Sequence, residues 1–299
     1  MIIDSHFHVG KKGERWISWP TDYYVEMYEP FYPPGQRLPA VVYDGISAED
    51  AVKLHVEAGV DKFVALAALS EGVPNDYVGA IKKKHPDRII GFASVNPCIR
   101  MPREADRIPA CVKELERAVN ELELEGLKLY PTYENYSPDD FGLVGPIYEK
   151  AEELNIPVLV HQAWAPVSDS RMRYALPHLL DDVARNFKKL KLIVAHFGNP
   201  WVDETICLLA KNRNMYADLS WWLHMASQRE VLETLLKCPR YGCNYDRLFW
   251  ATDNFGTVIE NLNKIRTINQ LAEKLDLPKI PETAIDRMLG ENFAKVIQL

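Results

Sequence analysis

The sequence predicts an α/β protein, a (β/α)₈ TIM barrel that spans residues 1–299 as a single domain, with a long loop after the first strand. Eight short apolar runs alternate with longer amphipathic segments, and no part of the chain repeats another. A length of 299 residues is also usual for one such barrel. The competing fold is a doubly wound open sheet, but no GxGxxG follows the first apolar run and no Walker loop is present.

The eight predicted strands are short and are bounded by polar or turn residues. Their partly continuous apolar character is typical of parallel strands that are buried on both faces. They cover Met1–Phe7, Lys62–Leu66, Ile89–Val95, Gly126–Tyr130, Val158–His161, Leu192–His196, Met215–Leu219 and Leu248–Thr252.

Helical patterns lie between these strands and continue after the last one. Ser47 and Asp50 resemble a capping box with a shorter acid and indicate where one helix begins. The segment from Lys11 to Asp44 differs, because it is rich in Trp, Tyr and Pro and is long for a connection between a strand and a helix. We expect it to act either as a lid over a pocket or as a subunit contact. The second alternative makes a homodimer plausible.

Composition restricts the class of function. The chain is 47% hydrophobic and 26% charged, with a formal net charge of −7 and no concentrated basic cluster, so we expect no nucleic-acid binding. No cationic start leads into an apolar run and no apolar stretch is long enough to cross a bilayer, so we expect neither a signal peptide nor a membrane partner. Five scattered cysteines indicate a reducing, cytoplasmic environment.

The first strand contains the most informative short motif. The predicted strand Met1–Phe7 is followed directly by His8, so the sequence SHFH at its end places His6 and His8 two residues apart. Side chains alternate between the faces of a strand, so both imidazoles are expected on one face at its carboxyl end. Imidazole is the commonest metal ligand, and two of them side by side could hold a divalent ion. The alternative is that one histidine caps a turn and the other is a hydrogen-bonded surface group.

Polar residues also stand at the ends of later strands. His161 and His196 end the fifth and sixth strands, and Asp253 follows the eighth. Lys128 and Tyr130 share one face of the fourth strand. Each residue alone has an ordinary structural explanation, but in a barrel all strand carboxyl ends meet at one rim, where active sites form. His224, in the sequence WWLH, either reaches this site from a loop or packs beside its tryptophans.

The pattern as a whole resembles the amidohydrolase superfamily, in the branch grouped around aminocarboxymuconate semialdehyde decarboxylase. The resemblance rests on the HxH motif and on a series of strand and terminal sequences, namely HPDRIIGFASVNP, GLKLYP, IPVLVHQ, LKLIVAHFGNPW, NMYADLS, RLFWATDNFG and LGENFAKVIQL. It covers nearly the whole chain except the loop from Lys11 to Asp44. Asp-Asn after the eighth strand, FGN after His196, and Tyr130 in place of a frequent His depart from the common pattern.

The resemblance implies one divalent metal ion held by His6, His8, His161 and Asp253. The ion is expected to be Zn²⁺, with Mn²⁺ as the alternative. His196 would lie beside it as a catalytic group or as a ligand to a second metal. Asp253 would both touch the metal and exchange a proton.

Four further residues are candidates for contact with a small-molecule substrate. Lys128 could bind a carboxylate, be carbamylated, or form a salt bridge inside the barrel. Arg171 offers a planar fork for a carboxylate, or is a loop charge exposed to solvent. Tyr130 and Trp164 supply aromatic walls or generic packing.

Two reactions are compatible with such a site. The first is hydrolysis of a small carboxylated ester, lactone or amide by a metal-activated water, towards which the GLKLYP strand leans. The alternative is non-oxidative decarboxylation of a carboxylated aromatic or muconate-like acid, which is a carbon–carbon lyase reaction. A non-catalytic barrel scaffold is a third hypothesis, against which the complete set of metal-type residues argues.

Overall fold

Eight parallel strands form a nearly closed barrel, which confirms the predicted (β/α)₈ fold. The computed structural model describes residues 1–14, 17, 21–38 and 40–299, without the side chains of residues 21 and 23. The strands follow one another around the sheet in chain order: β1 Ile3–His8, β2 Lys62–Leu66, β3 Ile89–Ser94, β4 Gly126–Leu129, β5 Val158–Val160, β6 Leu192–Val194, β7 Met215–Asp218 and β8 Leu248–Phe249.

Backbone hydrogen bonds join the first and last strands of the barrel. The amide of Ser5 donates to the carbonyl of Trp250 at 3.2 Å, and the amide of Asp253 donates to the carbonyl of His6 at 2.8 Å. The buried carboxylate of Asp4 accepts hydrogen bonds from the Thr252 amide at 3.0 Å and the Thr252 hydroxyl at 2.5 Å. Closure of the barrel therefore places Asp253 beside the carboxyl end of β1.

Helices surround the barrel. They are α1 Thr21–Tyr28, α2 Ala40–Asp44, α3 Ala48–Glu57, α4 Asn75–Lys84, α5 Arg107–Asn120, α6 Pro131–Glu134, α7 Gly145–Glu153, α8 Leu179–Asn186, α9 Val202–Lys211, α10 Trp222–Met225, α11 Gln228–Lys237, α12 Val258–Arg266, α13 Ile268–Lys274, α14 Glu282–Asp286 and α15 Asn292–Ile297. Ser47 caps α3 as predicted, since its side chain accepts a hydrogen bond from the Asp50 amide. None of the helices in the described ranges is both long and apolar enough to cross a membrane.

The final helix closes one end of the barrel. Phe293 of α15 packs against Phe92 of β3 and Phe249 of β8, with ring centroids 6.1 and 5.4 Å apart. These rings belong to a buried cluster contributed mainly by the barrel strands and α15. Gly126 of β4 leaves room for the Phe92 ring, because a Cβ atom at residue 126 would overlap it. The carboxyl ends of the strands lie at the other end of the barrel, which stays open and can form a pocket.

The segment from Lys11 to Asp44 contains α1 and α2. Gly10–Lys11 and Gly45–Ile46 pair as a short antiparallel ribbon at its base. Residues 15, 16, 18–20 and 39 lie outside the described residues, so the lid and subunit-contact predictions apply in part to residues that the structure does not describe.

Several predicted strands end earlier in the structure. β6 stops at Val194 because His196 and Phe197 have φ of +59° and +52°, which no strand residue adopts. β8 stops at Phe249, and the Trp250 amide donates to the carbonyl of Met288. Asp253 and Asn254 also have positive φ, at +56° and +60°. The polar residues thus lie on strained turns just beyond the strands.

Candidate active site

Five side chains from four strands meet at the open end of the barrel. His6 and His8 lie in β1, His161 follows β5, His196 follows β6, and Asp253 follows β8. Four of them are buried, and the side chain of His8 is 18% exposed. Barrel closure therefore brings together residues that are remote in sequence, as predicted from the common rim of the strand ends.

Asp253 lies at the centre of this cluster. Its Oδ1 lies 3.3 Å from Nε2 of His6 and 3.2 Å from Nε2 of His8. Its Oδ2 lies 3.7 Å from Nδ1 of His196. One ligand atom from each of His6, His196 and Asp253 falls within 4.8 Å of the other two. A group of potential metal ligands among the described residues thus includes His196, which the resemblance placed beside the metal.

His161 joins the cluster through His196. Nδ1 of His161 lies 3.0 Å from Nε2 of His196. The other ring nitrogen of His161, Nε2, is buried and has no hydrogen-bond partner among the described residues, and the same is true of Nδ1 of His8. Buried polar atoms without a partner are rare and indicate a missing partner such as an ion or water.

The protonation states of three of the histidines suit the binding of a cation. Burial lowers the pKa of His6, His161 and His196 well below the usual value, so these imidazoles are neutral. Neutral imidazole and ionised carboxylate are the forms that coordinate a metal. Three to four imidazoles and one carboxylate are a donor set for a borderline divalent ion such as Zn²⁺ or Mn²⁺. The residues present therefore fit a divalent metal ion.

Asp218, the last residue of β7, orients two of these histidines. Its Oδ2 lies 2.9 Å from Nδ1 of His6, which turns Nε2 of that ring towards Asp253. Its Oδ1 accepts hydrogen bonds from the His196 amide at 3.0 Å and from the Ser220 hydroxyl. Ser220 Oγ also lies 2.8 Å from Nδ1 of His196. Carboxylates that hold the second nitrogen of a ligating histidine are typical of metal sites.

Lys128 of β4 lies beneath the cluster. It is fully buried, with Nζ 3.4 Å from Nε2 of His6 and 5.1 Å from the centre of the Tyr130 ring. Burial lowers its pKa to about 8, although the carboxylates of Asp218 and Asp253 oppose the shift. The ammonium group thus lies beside the candidate metal ligands, inside the barrel.

A pocket of about 540 Å³, its open mouth included, lies above the cluster. Much of its wall is aromatic, and the segment between Lys11 and Asp44 supplies part of it. Tyr28 of this segment stacks on Phe255 with ring centroids 4.8 Å apart and an interplanar angle of 8°. The aromatic lining residues are Tyr24, Tyr28, Tyr130, Tyr133 and Phe255. The described part of the segment thus forms part of the pocket wall, as expected of a lid.

Three residues considered from the sequence lie away from this pocket. Trp164 is half-buried and packs behind the wall, 5.4 Å from the Trp221 ring and 6.3 Å from the Phe31 ring. Arg171 is exposed, and its amide donates to the carbonyl of Thr132. His224 lies beside Phe255, at 5.9 Å between ring centroids, and does not line the pocket.

Three polar residues of the site were missed from the sequence. Glu71 lies on the loop after β2, and Asn254 follows Asp253; both line the pocket. Asn254 binds the backbone of His8 twice, since its Oδ1 accepts from the His8 amide at 2.7 Å and its Nδ2 donates to the His8 carbonyl at 2.9 Å. Asp218 is the third. Asp218 lies near the end of a predicted strand. The rule that identified the other polar residues at strand ends could therefore also have identified Asp218.

A family model described as amidohydrolase matches residues 3–299. Among curated proteins, 2-amino-3-carboxymuconate-6-semialdehyde decarboxylase from Dictyostelium discoideum is 31% identical over 107 residues, which are 36% of this chain. The matched stretch spans 27% of that relative's length.

Solved structures resemble the whole barrel. An uncharacterized TIM-barrel protein from Bordetella bronchiseptica aligns with a TM-score of 0.75 and 19% identity, over 99% of this chain and 98% of that one. 5-Carboxyvanillate decarboxylase from Novosphingobium aromaticivorans aligns with a TM-score of 0.67 and 16% identity, over 100% and 97% of the two chains. A probable 2-pyrone-4,6-dicarboxylic acid hydrolase from Acinetobacter baumannii aligns with a TM-score of 0.62 and 14% identity, over 100% and 99%. At these identities the likeness shows the fold.

Proposed function

Because the chain belongs to the amidohydrolase family and is an enzyme of that family, we propose that it is a metal-dependent decarboxylase of a small aromatic or otherwise conjugated acid. The observation that carries the proposal is the combination of a metal-type cluster on the pocket floor with aromatic side chains around it. Aromatic walls favour a flat, unsaturated ligand. Its carboxylate would face the cluster.

The relatives support this reaction class. The curated relative is named as a decarboxylase. The Novosphingobium structure is also named as a decarboxylase and holds manganese with 3-methoxy-4-hydroxy-5-nitrobenzoic acid, which is a small aromatic acid. The GLKLYP strand of the sequence favours hydrolysis. The aromatic pocket favours the second alternative.

The proposed metal ligands are His6, His8, His161 and Asp253, with His196 beside them. A divalent ion bound there would act as a Lewis acid on the oxygens of a substrate carboxylate. Asp218 fixes the orientation of His6 by the contact to its Nδ1. His196, held by Ser220 through its Nδ1, lines the pocket beside the proposed ligands.

Asp253 is the proposed proton donor. In decarboxylation the bond between the substrate carbon and its carboxylate breaks, the electron pair stays on that carbon, and carbon dioxide leaves. The carbon then takes a proton from Asp253, which is reprotonated from water. Asp253 lines the pocket, so its carboxyl group can reach the substrate carbon.

Hydrolysis of a small ester, lactone or amide is the second candidate function. In that reaction Asp253 would take a proton from water, and Lys128 of the GLKLYP strand would bind a substrate carboxylate. The lysine lies 3.4 Å from His6 Nε2 but is fully buried beneath the cluster and does not line the pocket, so this role needs a substrate that reaches past the cluster. The Acinetobacter relative, named as a probable hydrolase, supports this alternative.

Product analysis separates the two reactions. The protein, loaded separately with Zn²⁺ and Mn²⁺, is incubated with a panel of aromatic carboxylic acids and a panel of lactones and esters. We expect carbon dioxide release from at least one aromatic acid, and loss of that release in Asp253→Asn. Acid release from lactones or esters without carbon dioxide from any aromatic acid would refute the decarboxylase and favour hydrolysis. Metal analysis of the same samples tests whether the ion is Zn²⁺ or Mn²⁺.

A further inference from the structure

Glu71 is a second carboxylate in the pocket, and neither proposed reaction uses it. Its side chain is only 6% exposed, yet it lines the pocket together with His8 and Asp253. Oε2 accepts a hydrogen bond from the Tyr24 hydroxyl. No hydrogen bond from the described residues reaches Oε1. One oxygen of a nearly buried carboxylate is therefore available to a ligand.

The loop that carries Glu71 is held firmly. Ala68 and Val73 exchange two backbone hydrogen bonds of 2.9 Å, which close a tight turn around Glu71. The Tyr130 hydroxyl donates to the carbonyl of Ala67 at 2.9 Å and fixes the start of the loop. A polar group held in this way is preorganised for binding, because little conformational entropy is lost when a ligand arrives.

Glu71 and Asp253 lie against opposite edges of the His8 ring. Oε2 of Glu71 is 3.8 Å from Nδ1 of His8, and Oδ1 of Asp253 is 3.2 Å from Nε2. A ligand whose reacting carbon lies at Asp253 and which extends over His8 would bring its far side to Glu71. The Tyr130 hydroxyl, which also lines the pocket, uses its proton on the Ala67 carbonyl and can only accept, so this side of the pocket offers acceptors to a ligand.

We infer that Glu71 is a specificity-determining residue, which selects aromatic acids that carry a hydroxyl or amino group on the side remote from the reacting carboxylate. This inference rests on the proposed function only in taking the ligand to be a small aromatic acid. A ligand without a donor would fill the pocket and leave Oε1 of Glu71 desolvated and without a hydrogen-bond partner, which is costly. A ligand with a donor restores the lost hydrogen bond, and sites built in this way discriminate strongly.

The test is calorimetric titration of the Mn²⁺-loaded protein with benzoate and with its hydroxy and amino derivatives at each ring position. We expect at least one derivative to bind wild-type protein about 10-fold or more tightly than benzoate. In Glu71→Leu that preference should fall to within about twofold, while benzoate itself binds no more weakly. Glu71→Gln should keep part of the preference, because its amide oxygen still accepts a hydrogen bond.

Glu134→Gln is the matched control. Glu134 is also a buried glutamate, and both of its oxygens lack a partner among the described residues, but it does not line the pocket. Burial raises its pKa well above the usual value, and the charge of Glu71 adds to the shift. Because glutamine has nearly the same size and Glu134 does not line the pocket, the replacement should leave the preference unchanged.

Three results would overturn the inference: wild-type protein that binds none of the compounds, no preference for a donor, or a preference that survives in Glu71→Leu. Donor-dependent binding without carbon dioxide release would refute the decarboxylase alone. Carbon dioxide release with an unchanged preference in Glu71→Leu would refute the role of Glu71 alone.

Discussion

His6 and Asp218 form a fully buried pair in which Nδ1 of the imidazole lies 2.9 Å from Oδ2 of the carboxylate. The pair joins β1 to β7, which lie on different sides of the barrel seam. It fixes both the tautomer and the direction of the His6 ring, because a neutral imidazole that donates from Nδ1 presents its lone pair at Nε2. The candidate metal site therefore depends on a residue that does not itself face the ion.

Asp218→Asn should weaken metal binding. The amide carries no charge to support the donating Nδ1–H of His6, and loss of such a partner lowers metal affinity by about 10- to 100-fold. Titration of the metal-free protein with Zn²⁺ measures the change. Asp246→Asn, at an exposed carboxylate, serves as the control. Equal affinity in the two variants would exclude the orienting role.

Asp253→Asn should leave the protein folded and reduce turnover by about 100-fold or more, because an amide neither donates nor accepts the transferred proton. Circular dichroism verifies folding, and kcat is measured on whichever substrate the panel identifies. A variant that turns over at the wild-type rate would remove Asp253 from the chemistry.

The double substitution His6→Ala with His8→Ala should abolish metal retention, because it removes two of the proposed ligands. Metal content after dialysis, measured by mass spectrometry, gives the outcome. His178→Ala, at an exposed histidine, should keep the wild-type content. Full occupancy in the double variant would place the ion elsewhere in the molecule.

Lys128 should make the stability of the metal-free protein depend on pH. Its folded pKa of about 8 lies below the ordinary 10.5, so between these values the unfolded chain binds more protons than the folded one. Stability of the wild type should therefore rise between pH 8 and 10.5, by up to about 3 kcal/mol, relative to Lys128→Met. Urea unfolding of both proteins at three pH values across this window measures the difference. If the difference in unfolding free energy between the two proteins stays constant across this pH range, the expectation is wrong.

Gly126→Ala should destabilise the barrel by about 1–3 kcal/mol, because the added methyl group overlaps the Phe92 ring in the interior. Urea unfolding gives the free energy. Gly145→Ala, where a Cβ atom would meet Phe141 Cβ at an ordinary 3.6 Å, should cost little. Similar losses in the two variants would show that the interior adapts to the methyl group.

The strands and their order could be predicted from the sequence because buried parallel strands are marked by local composition. β2 has the predicted bounds, Lys62–Leu66, and the other predicted strands overlap the observed ones. Family membership and enzymatic nature were also predicted correctly. Strand ends were less predictable, since left-handed turns at His196 and Asp253 depend on contacts from other strands.

The candidate site could be predicted only where polar residues ended recognised strands. That rule brought His6, His8, His161, His196 and Asp253 together, and their roles as ligands and catalysts stay predictions. Glu71 lies in a loop whose path depends on hydrogen bonds to Ala67 and Ala68, so local sequence did not place it. Arg171 was considered because of its charge, but the loop after β5 leaves it in solvent.

The two hydrogen bonds between Asn254 and the His8 backbone have a consequence for variation within the family. The Asn254 carboxamide forms the same pair of hydrogen bonds with the His8 backbone that a neighbouring strand would form, where the last strand meets the first. The same side chain also lines the pocket. Replacement of Asn254 by Tyr or Trp would remove both hydrogen bonds and add bulk to the wall of the pocket. An aspartate at residue 254 could accept a hydrogen bond from the His8 amide. Its second oxygen would, however, face the His8 carbonyl oxygen, and the two would repel each other. The Asn254 side chain therefore determines both the size of the pocket and the hydrogen bonding between β1 and the segment that follows β8.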